Sequence, residues 1–256
     1  MNQSAAPLPH TAPSITVFFP AYNDAEILPS LISQTAETVQ GLADNYEIIV
    51  VDDGSTDQTP AVLDSLQRDY PSLRVIHHSS NLGYGAALQS GFRNATKELI
   101  FYTDGDGQYD VHELRRFLSL LSPQVDVVQG YKANRADSKL RLLVGNLYCA
   151  FVKALFRLRI KDVDCDFRLM RREVFESLHL TCRTGAICVD LTSQIQYKGW
   201  KVLESPVNHY PRRYGKSQCF RPGPIARTLR DLLRLWLRLK PLKANPRPTR
   251  SLSQGL

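Results

Sequence analysis

The sequence contains no stretch of about 18 consecutive apolar residues, so we expect no membrane-spanning helix. Residues 1–14 include three prolines but no apolar core segment, which argues against a secretory signal. The five cysteines are an odd number and are scattered without a C-x-x-C pair, which fits reduced thiols better than a disulfide framework or a zinc site. These absences together predict an intracellular protein of the cytoplasm.

Two common nucleotide-binding signatures are also missing. No G-x-x-x-x-G-K-[ST] sequence occurs, and the pair Gly83 and Gly85 lacks the third glycine of a dinucleotide fingerprint. A P-loop or an NAD-binding domain is therefore not expected. With 256 residues, of which 43% are hydrophobic and 22% charged, the chain has the size and composition of one large globular domain or two small ones.

Acidic residues are scarce near the C-terminus. Residues 205–256 contain 12 lysines and arginines against one acid, Asp231, whereas the other 204 residues carry a small net negative charge. A local basic segment typically faces nucleic acid, lipid headgroups or phosphate groups, or else is a solvated tail. A non-catalytic protein that binds nucleic acid or lipid is therefore one hypothesis for the whole chain.

The rest of the sequence alternates between strand-like and helix-like segments. The patterns predict strands at 15–19, 46–51, 73–76, 99–102 and 125–129, and helices at 25–42, 58–68, 85–95 and 111–121. Further helices are expected at 138–158, 171–177, 189–197 and 224–239, with one more strand at 201–204. This alternation is typical of an α/β fold with a mostly parallel, doubly wound sheet and helices on both faces.

Ligands bind beyond the carboxyl ends of the strands in such sheets. This rule predicts one shared site built from 20–24, 52–57, 81–85 and 104–110.

The most informative of these turns is DGDGQ at 104–108. The side-chain oxygens of Asp104, Asp106 and Gln108 can approach a hard divalent cation, Mg²⁺ or Mn²⁺, that keeps open positions for substrate phosphates. An EF-hand is excluded, because Tyr109 and Arg115 stand where that loop requires Gly and Glu. An acidic turn without a ligand is the remaining alternative.

The other turns are ambiguous when taken alone. VDDGSTD at 51–57 is either a capped helix start or a turn whose carboxylate accepts a hydrogen bond from a nucleobase N–H. The glycines at 83 and 85 either cradle a phosphate or form a plain turn.

In their order and spacing, however, the motifs resemble the family-2 glycosyltransferases. The motifs are PAYND at 20–24, VDDGSTD at 51–57, N-x-G-x-G at 81–85 and D-x-D-x-Q at 104–108. The chain looks most like the branch with dolichyl-phosphate mannosyltransferase and bacterial polyprenyl-phosphate glycosyltransferases, through QGYK at 129–132, DVDCDFR at 162–168 and PRRYGKS at 211–217. The resemblance extends over about 15–218 and implies the GT-A fold of nucleotide-diphospho-sugar transferases.

The resemblance also implies which residues bind the nucleotide-sugar. In chain order, the first of these residues correspond to contacts with the nucleobase and the ribose. The D-x-D motif then lies over the diphosphate, and the last residues are basic or polar groups near the phosphates. Asp24 departs from the family, which usually has Glu there, and Gln218 stands where some relatives have Lys. The residues are Pro20, Tyr22, Asp24, Val51, Asp53, Asp104, Gly105, Asp106, Lys132, Arg212 and Gln218.

The expected chemistry is inverting transfer from a UDP- or GDP-sugar. A metal at Asp106, together with Lys132 and Arg212, would neutralise the leaving diphosphate. A polyprenyl phosphate acceptor is already an anion and needs no strong base, whereas a hydroxyl acceptor would need one, for which Asp162 and Asp190 are the candidates. The extra acids of the 162–168 motif, at 164 and 166, either bind a polar sugar group or cap a turn.

The C-terminal helix has two interpretations. Its leucines and Trp236 either sink into a membrane surface while arginines meet anionic lipid, or pack on the domain. We expect a tail at 1–14, a GT-A domain at 15–220, a basic amphipathic helix at 221–241 and a second tail at 242–256. We also expect peripheral binding at the cytoplasmic face of a membrane, directly or through a membrane-protein partner, and no nucleic acid.

Overall fold

The computed structural model describes residues 13–135, 139–212, 214 and 222–239. The expected tails at 1–14 and 242–256 lie outside this part of the chain, apart from residues 13 and 14. None of the helices described in it is both long and apolar enough to cross a membrane.

The first half follows the predicted order. The elements are β1 (Ile15–Ala21), α1 (Leu28–Gln40), β2 (Tyr46–Asp52), α2 (Thr59–Asp69), β3 (Leu73–His77), α3 (Tyr84–Asn94), β4 (Leu99–Thr103), a 3₁₀ turn (Val111–Glu113) and α4 (Leu114–Leu120). Helices α1 and α2 each begin with a proline in the first turn, where its missing N–H leaves no hydrogen bond unmade.

The second half is less regular. It contains β5 (Val127–Arg135), α5 (Lys139–Phe156), β6 (Phe167–Arg171), α6 (Arg172–Glu176), α7 (Ala186–Tyr197), β7 (Val202–His209) and α8 (Pro222–Leu239). Strands β5 and β7 extend beyond their predicted ends because they pair with each other along most of their length.

Seven strands form one sheet within the described residues, in the order β3-β2-β1-β4-β6-β5-β7. All neighbours are parallel except β6, which is antiparallel to both β4 and β5. The predicted fold, mostly parallel with helices on both faces, is confirmed. Strand β6 was not predicted, because it has only five residues and includes Arg168, which is fully buried.

The sheet has an apolar cluster on each side. On one side Phe18, Tyr102 and their neighbours pack against α3, α5, α7 and α8. On the other side Val17, Phe101 and their neighbours pack against α1, α2 and α4.

Helix α8 is found where it was predicted, but its sides differ from the expectation. Leu232, Leu235 and Leu239 are buried against the domain, whereas a second row of apolar side chains is about half exposed. Arg238 pairs with the fully buried Asp190 at 2.7 Å, so it is not available to meet lipid as the arginines of this helix would in the membrane interpretation. The exposed apolar row is Ile225, Leu229, Leu233 and Leu237.

Candidate active site

The predicted turns meet at one edge of the sheet. Strands β1 to β4 are parallel, so their carboxyl ends lie together, and β6 runs the other way, so Asp166 just before it lies at the same edge. The Gly105 amide donates to the Pro20 carbonyl at 3.2 Å, and the Asp53 amide donates to the Ala21 carbonyl at 2.9 Å. A Cβ on residue 105 would lie 2.5 Å from the Pro20 oxygen, so this approach requires glycine.

Three carboxylates gather at this edge: Asp104, Asp106 and Asp166. Burial raises the pKa of Asp104 well above its usual range, and Asp166 and Asp106 raise it further. Burial also raises the pKa of Asp166, although Lys132 opposes the shift. Negative charge is therefore costly here, and the edge is suited to receive cations.

Lys132 supplies one cationic group. Its Nζ donates to the carbonyl of Asp164 at 2.7 Å, and its backbone N–H donates to the carboxylate of Asp162 at 3.4 Å. Burial alone would lower the pKa of Lys132, but nearby anionic groups, with Asp162 first among them, raise it above the usual value. The side chain is thus held as a half-buried cation beside the acidic edge.

Arg212, beyond the end of β7, supplies the second cationic group. Its Nη2 donates to the carboxylate of Asp106, and its Nη1 lies 4.0 Å from the carboxylate of Asp24. Burial raises the pKa of Asp24 to about 6, against the lowering effects of the Tyr22 amide and of Arg212. The D-x-D turn, the end of β1 and the segment after β7 are therefore joined through one guanidinium.

Each of the three predicted metal ligands already has a hydrogen-bond partner within the protein. The Tyr84 hydroxyl donates to Asp104 at 2.7 Å, Asp106 pairs with Arg212, and the Gln108 side-chain amide donates to the Tyr210 carbonyl at 2.8 Å. Among the described residues, no three His, Cys, Asp or Glu side chains are arranged to hold a metal. Asp104 and Asp106 fit a hard divalent cation by their oxygen chemistry, but a cation on Asp106 requires Arg212 to move.

A pocket of about 540 Å³ opens beside the acidic edge, at the ends of β1, β2 and β3. Its floor includes Asp52, which is 2% exposed; the carboxylate accepts from the Ser55 amide at 3.0 Å and contacts His77 Nδ1 at 2.8 Å. His77 Nε2 lies 3.3 Å from Asp64. Tyr22, predicted to bind the nucleotide, is also in the pocket wall.

Val51 and Asp53, which are predicted to contact the nucleobase, do not lie in the pocket with Asp52. Val51 is fully buried in the core between the sheet and its helices. The Asp53 carboxylate contacts His78 Nδ1 at 2.7 Å and accepts from the amides of Leu82 and Gly83, both at 2.9 Å. It therefore holds the 81–85 turn, and neither residue lines the described pocket.

Asp190 is not placed with the acidic edge, and its surroundings give no support to its predicted role as a catalytic base. Its side chain is fully buried under α8, where one oxygen accepts from Gln194 and Arg238, both at 2.7 Å, and the other accepts from the Thr181 amide at 2.9 Å. A carboxylate with these donors stabilises the packing of α7 and α8. Asp162, which is 4% exposed, stays beside Lys132 and remains the candidate base for a hydroxyl acceptor.

Gln218 lies outside the described residues, so its predicted role is untested. Three residues near the site lie in the predicted motifs but were not given individual roles: Asp52, Tyr84 and Arg168. Arg168 is fully buried and contacts Gln129 and Thr192. The tyrosine of the N-x-G-Y-G turn could have been noticed from its place before a helix, but nothing in the sequence indicates that it reaches Asp104.

The sequence matches the family model Glycosyl transferase family 2 over residues 16–178. This region contains β1 to β6 and all three carboxylates of the edge.

Solved structures show the same fold. A glucosyl-3-phosphoglycerate synthase from Mycobacterium tuberculosis, in complex with Mn²⁺ and UDP-glucose, is 18% identical with a TM-score of 0.65, over 88% of this chain and 78% of that one. A mannosyltransferase from Pyrobaculum calidifontis, in complex with GDP-Man and Mn²⁺, is 22% identical with a TM-score of 0.59, over 96% of this chain and 69% of that one.

Proposed function

The chain belongs to glycosyl transferase family 2, and we propose that this glycosyltransferase moves a sugar from a UDP- or GDP-sugar to a polyprenyl phosphate, with inversion at the anomeric carbon. The observation that carries the proposal is the charge arrangement of the edge. The half-buried carboxylate of Asp104 and the buried carboxylates of Asp106 and Asp166 stand beside two cationic side chains, Lys132 and Arg212.

The donor would lie across the strand ends. Its base occupies the pocket of about 540 Å³, where the buried Asp52 can accept a hydrogen bond from a base N–H while His77 holds the carboxylate in place. Uracil and guanine both offer such an N–H. The structural neighbours include one with UDP-glucose and one with GDP-Man, so both donors remain within the proposal.

The diphosphate would then lie over the D-x-D turn. Asp104 and Asp106, with Gln108 as a further predicted ligand, would hold Mg²⁺ or Mn²⁺, which would supply positive charge to the leaving phosphate oxygens. Arg212 leaves Asp106 and donates two hydrogen bonds to the diphosphate, which a guanidinium does well. Lys132 stays a cation beside the leaving group and stabilises the charge that develops as the sugar departs.

The acceptor phosphate attacks the anomeric carbon from the opposite side. A phosphate monoester is largely dianionic near neutral pH, so no side chain has to remove a proton from it. This fits the burial of Asp190 and its hydrogen bonds within the protein core.

A soluble hydroxyl acceptor is the second candidate. It is favoured by Asp162, which lies beside Lys132 at the edge and is a carboxylate that could accept the hydroxyl proton.

Helix α8 supports peripheral binding at the cytoplasmic face of a membrane, directly or beside a membrane-protein partner. Its half-exposed apolar row is flanked by the exposed side chains of Arg227, Arg230 and Arg234. An apolar row beside arginines is typical of helices that lie in the headgroup region of anionic bilayers. Within the proposal, residues 15–220 form the catalytic domain, and the helix at 221–241 is its membrane contact.

The test is to incubate the full chain with Mn²⁺, a polyprenyl phosphate and a panel of labelled UDP- and GDP-sugars, and to count label extracted into organic solvent. Lipid-soluble label from one donor is expected, and Asp106→Ala is expected to abolish it. The matched control is Asp110→Ala, which removes a carboxylate of the same loop that contacts His112 in solvent.

Nucleotide release that depends on a water-soluble acceptor, without lipid label, would refute the lipid acceptor and favour the second candidate. No turnover of any donor, combined with salt-dependent anion binding that survives Asp106→Ala, would refute glycosyl transfer and favour the non-catalytic binding protein.

A further inference from the structure

Helix α5 exposes apolar side chains that no described part of the chain covers. Val144, Leu147 and Phe151 are 44%, 62% and 53% exposed, at spacings that place them on one side of the helix. Ala150 and Ala154 are exposed as well. We call these five residues the outer face of α5.

This outer face is part of a larger concentration of exposed apolar groups. Of the twelve large apolar side chains that are exposed in the described residues, seven lie on α5 and α8. Both helices pack against the same apolar cluster, on one side of the sheet. Soluble monomers rarely leave so many large apolar groups uncovered on one side of the sheet, so this side of the molecule is expected to meet an apolar partner.

The charges of the two helices identify that partner. Helix α5 contains three basic residues and no acidic one, and α8 contains four basic residues and a single acid, Asp231. Asp231 accepts from the Thr184 hydroxyl at 2.9 Å and from the Arg183 amide at 3.3 Å. Helices with an excess of basic residues, such as the exposed Arg227, Arg230 and Arg234 of α8, complement an anionic lipid surface, whereas a second copy of this chain would bring its own basic residues against them.

The inner face of α5 lies beside the proposed site. Val152 and Phe156 are buried in the core, and the carboxylate of Asp164 contributes to the raised pKa of the half-buried Tyr148, whose main cause is burial. Along the chain, α5 joins the strand that carries Lys132 to the acidic segment 162–166. Helix α5 therefore lies between its outer face and the segment with Asp164, whose carbonyl accepts from Lys132.

We propose that the outer face of α5 is a lipid contact, so that an anionic bilayer lies against Val144, Leu147 and Phe151. The inference rests on the proposed polyprenyl phosphate acceptor and adds a second membrane contact to α8. The two contacts together fix the orientation of the molecule and present the edge with Lys132 to the headgroup layer, where the phosphate of a lipid acceptor lies.

The test is co-sedimentation of the full chain with vesicles of phosphatidylcholine and phosphatidylglycerol in equal amounts. The double variant Leu147→Ser/Phe151→Ser is expected to bind about a hundredfold more weakly, about tenfold for each large apolar side chain that no longer enters the bilayer. The matched control is Val202→Ser/Leu203→Ser, which removes two side chains, each 37% exposed, from β7 and is expected to bind like the unaltered chain.

A second variant gives a readout that does not depend on loss of binding. Phe151→Trp is expected to keep vesicle binding and to gain a blue-shifted emission component when vesicles are added, because its indole leaves water. Leu203→Trp is expected to add no such component beyond the emission that Trp200 and Trp236 give in the unaltered chain. Equal emission from residue 151 with and without vesicles would overturn the inference.

Three further outcomes would also overturn it. They are unchanged vesicle binding in the Leu147→Ser/Phe151→Ser variant, no vesicle binding by the unaltered chain, and a lipid-free dimer that this variant converts to monomers while it still binds vesicles. Calorimetric binding of UDP and GDP tests the proposed donor site separately. A chain that binds nucleotide but not vesicles refutes only the lipid contact, and a chain that binds vesicles but no nucleotide refutes the donor site.

Discussion

Replacing Asp24 by Asn is expected to stabilise the folded protein at neutral pH while weakening donor binding. The Asp24 carboxylate is only 11% exposed, and burial is the main reason why its pKa is raised from 3.8 to about 6. An Asn side chain has a similar shape and can still accept from the Tyr22 amide, but it carries no charge to bury.

The direction of the pH dependence follows from proton binding. The folded state holds the Asp24 proton more tightly than the unfolded state, so ionisation opposes folding above about pH 6. A shift of about 2 pKa units corresponds to roughly 3 kcal/mol, which is an upper limit for the gain of Asp24→Asn. The gain should be complete above about pH 7, shrink as the pH falls through about 6, and vanish below about pH 4.

The assay is urea unfolding, followed by circular dichroism, between about pH 8 and about pH 4. Glu26→Gln serves as the control, because it neutralises an exposed carboxylate two residues away. A gain of the same size at both ends of the pH range, or a loss of stability at the upper end, would refute the assignment of the pKa shift to burial. Calorimetry with UDP and GDP should show weaker binding, since Asp24 no longer attracts Arg212 towards the donor site.

Three further predictions concern other parts of the molecule. Arg212→Ala is expected to strengthen Mn²⁺ binding in the absence of nucleotide by about tenfold, because the guanidinium no longer competes for Asp106. Titration followed by electron paramagnetic resonance measures the Mn²⁺ affinity. An unchanged affinity would count against competition between Arg212 and the metal. Arg238→Ala is expected to lower the free energy of unfolding by about 3 kcal/mol, because it leaves the carboxylate of Asp190 buried without its cation. Donor turnover by the folded fraction should stay normal. Lost turnover at normal stability would contradict a purely structural role for the pair. Gly54→Ala is expected to lower the melting temperature and weaken nucleotide binding. Residue 54 has φ of 68°, and an added Cβ would lie 2.2 Å from a backbone carbon of the next loop. An unchanged melting temperature would show that this loop can move to accommodate the Cβ.

Much of the fold was predictable from local patterns. The alternation of apolar runs and helical spacing predicted the strands of the first half, and the rule that ligands bind at the carboxyl ends of strands brought Pro20, Asp53 and Asp104 to one edge. Strand β6 was missed because it has five residues and buries an arginine, which sequence patterns treat as a surface residue. Without β6 the sequence could not indicate why Asp166 lies beside Asp104.

The candidate site was predictable by motif but not by contact. The order of the motifs predicted the family, whose model matches the chain, and the carboxylates of the D-x-D turn are where the motifs placed them. The adjacent acids Asp52 and Asp53 look alike in sequence, but only Asp52 lines the pocket, since the other turns under the 81–85 loop. Asp190 looked like a free acid and is instead the buried partner of Arg238.

The sequence by itself therefore determined the order of strands and helices in the first half, the acidic strand ends and the family, because these depend on residue types at short spacings along the chain. Tertiary structure alone decided which carboxylate meets which cation. The contacts between Arg212 and Asp106, and between Lys132 and Asp164, join residues separated by more than 100 and by about 30 positions. Such pairs form only when the antiparallel β6 and the long β5–β7 pairing bring distant segments to the same edge, and no local pattern specifies that packing.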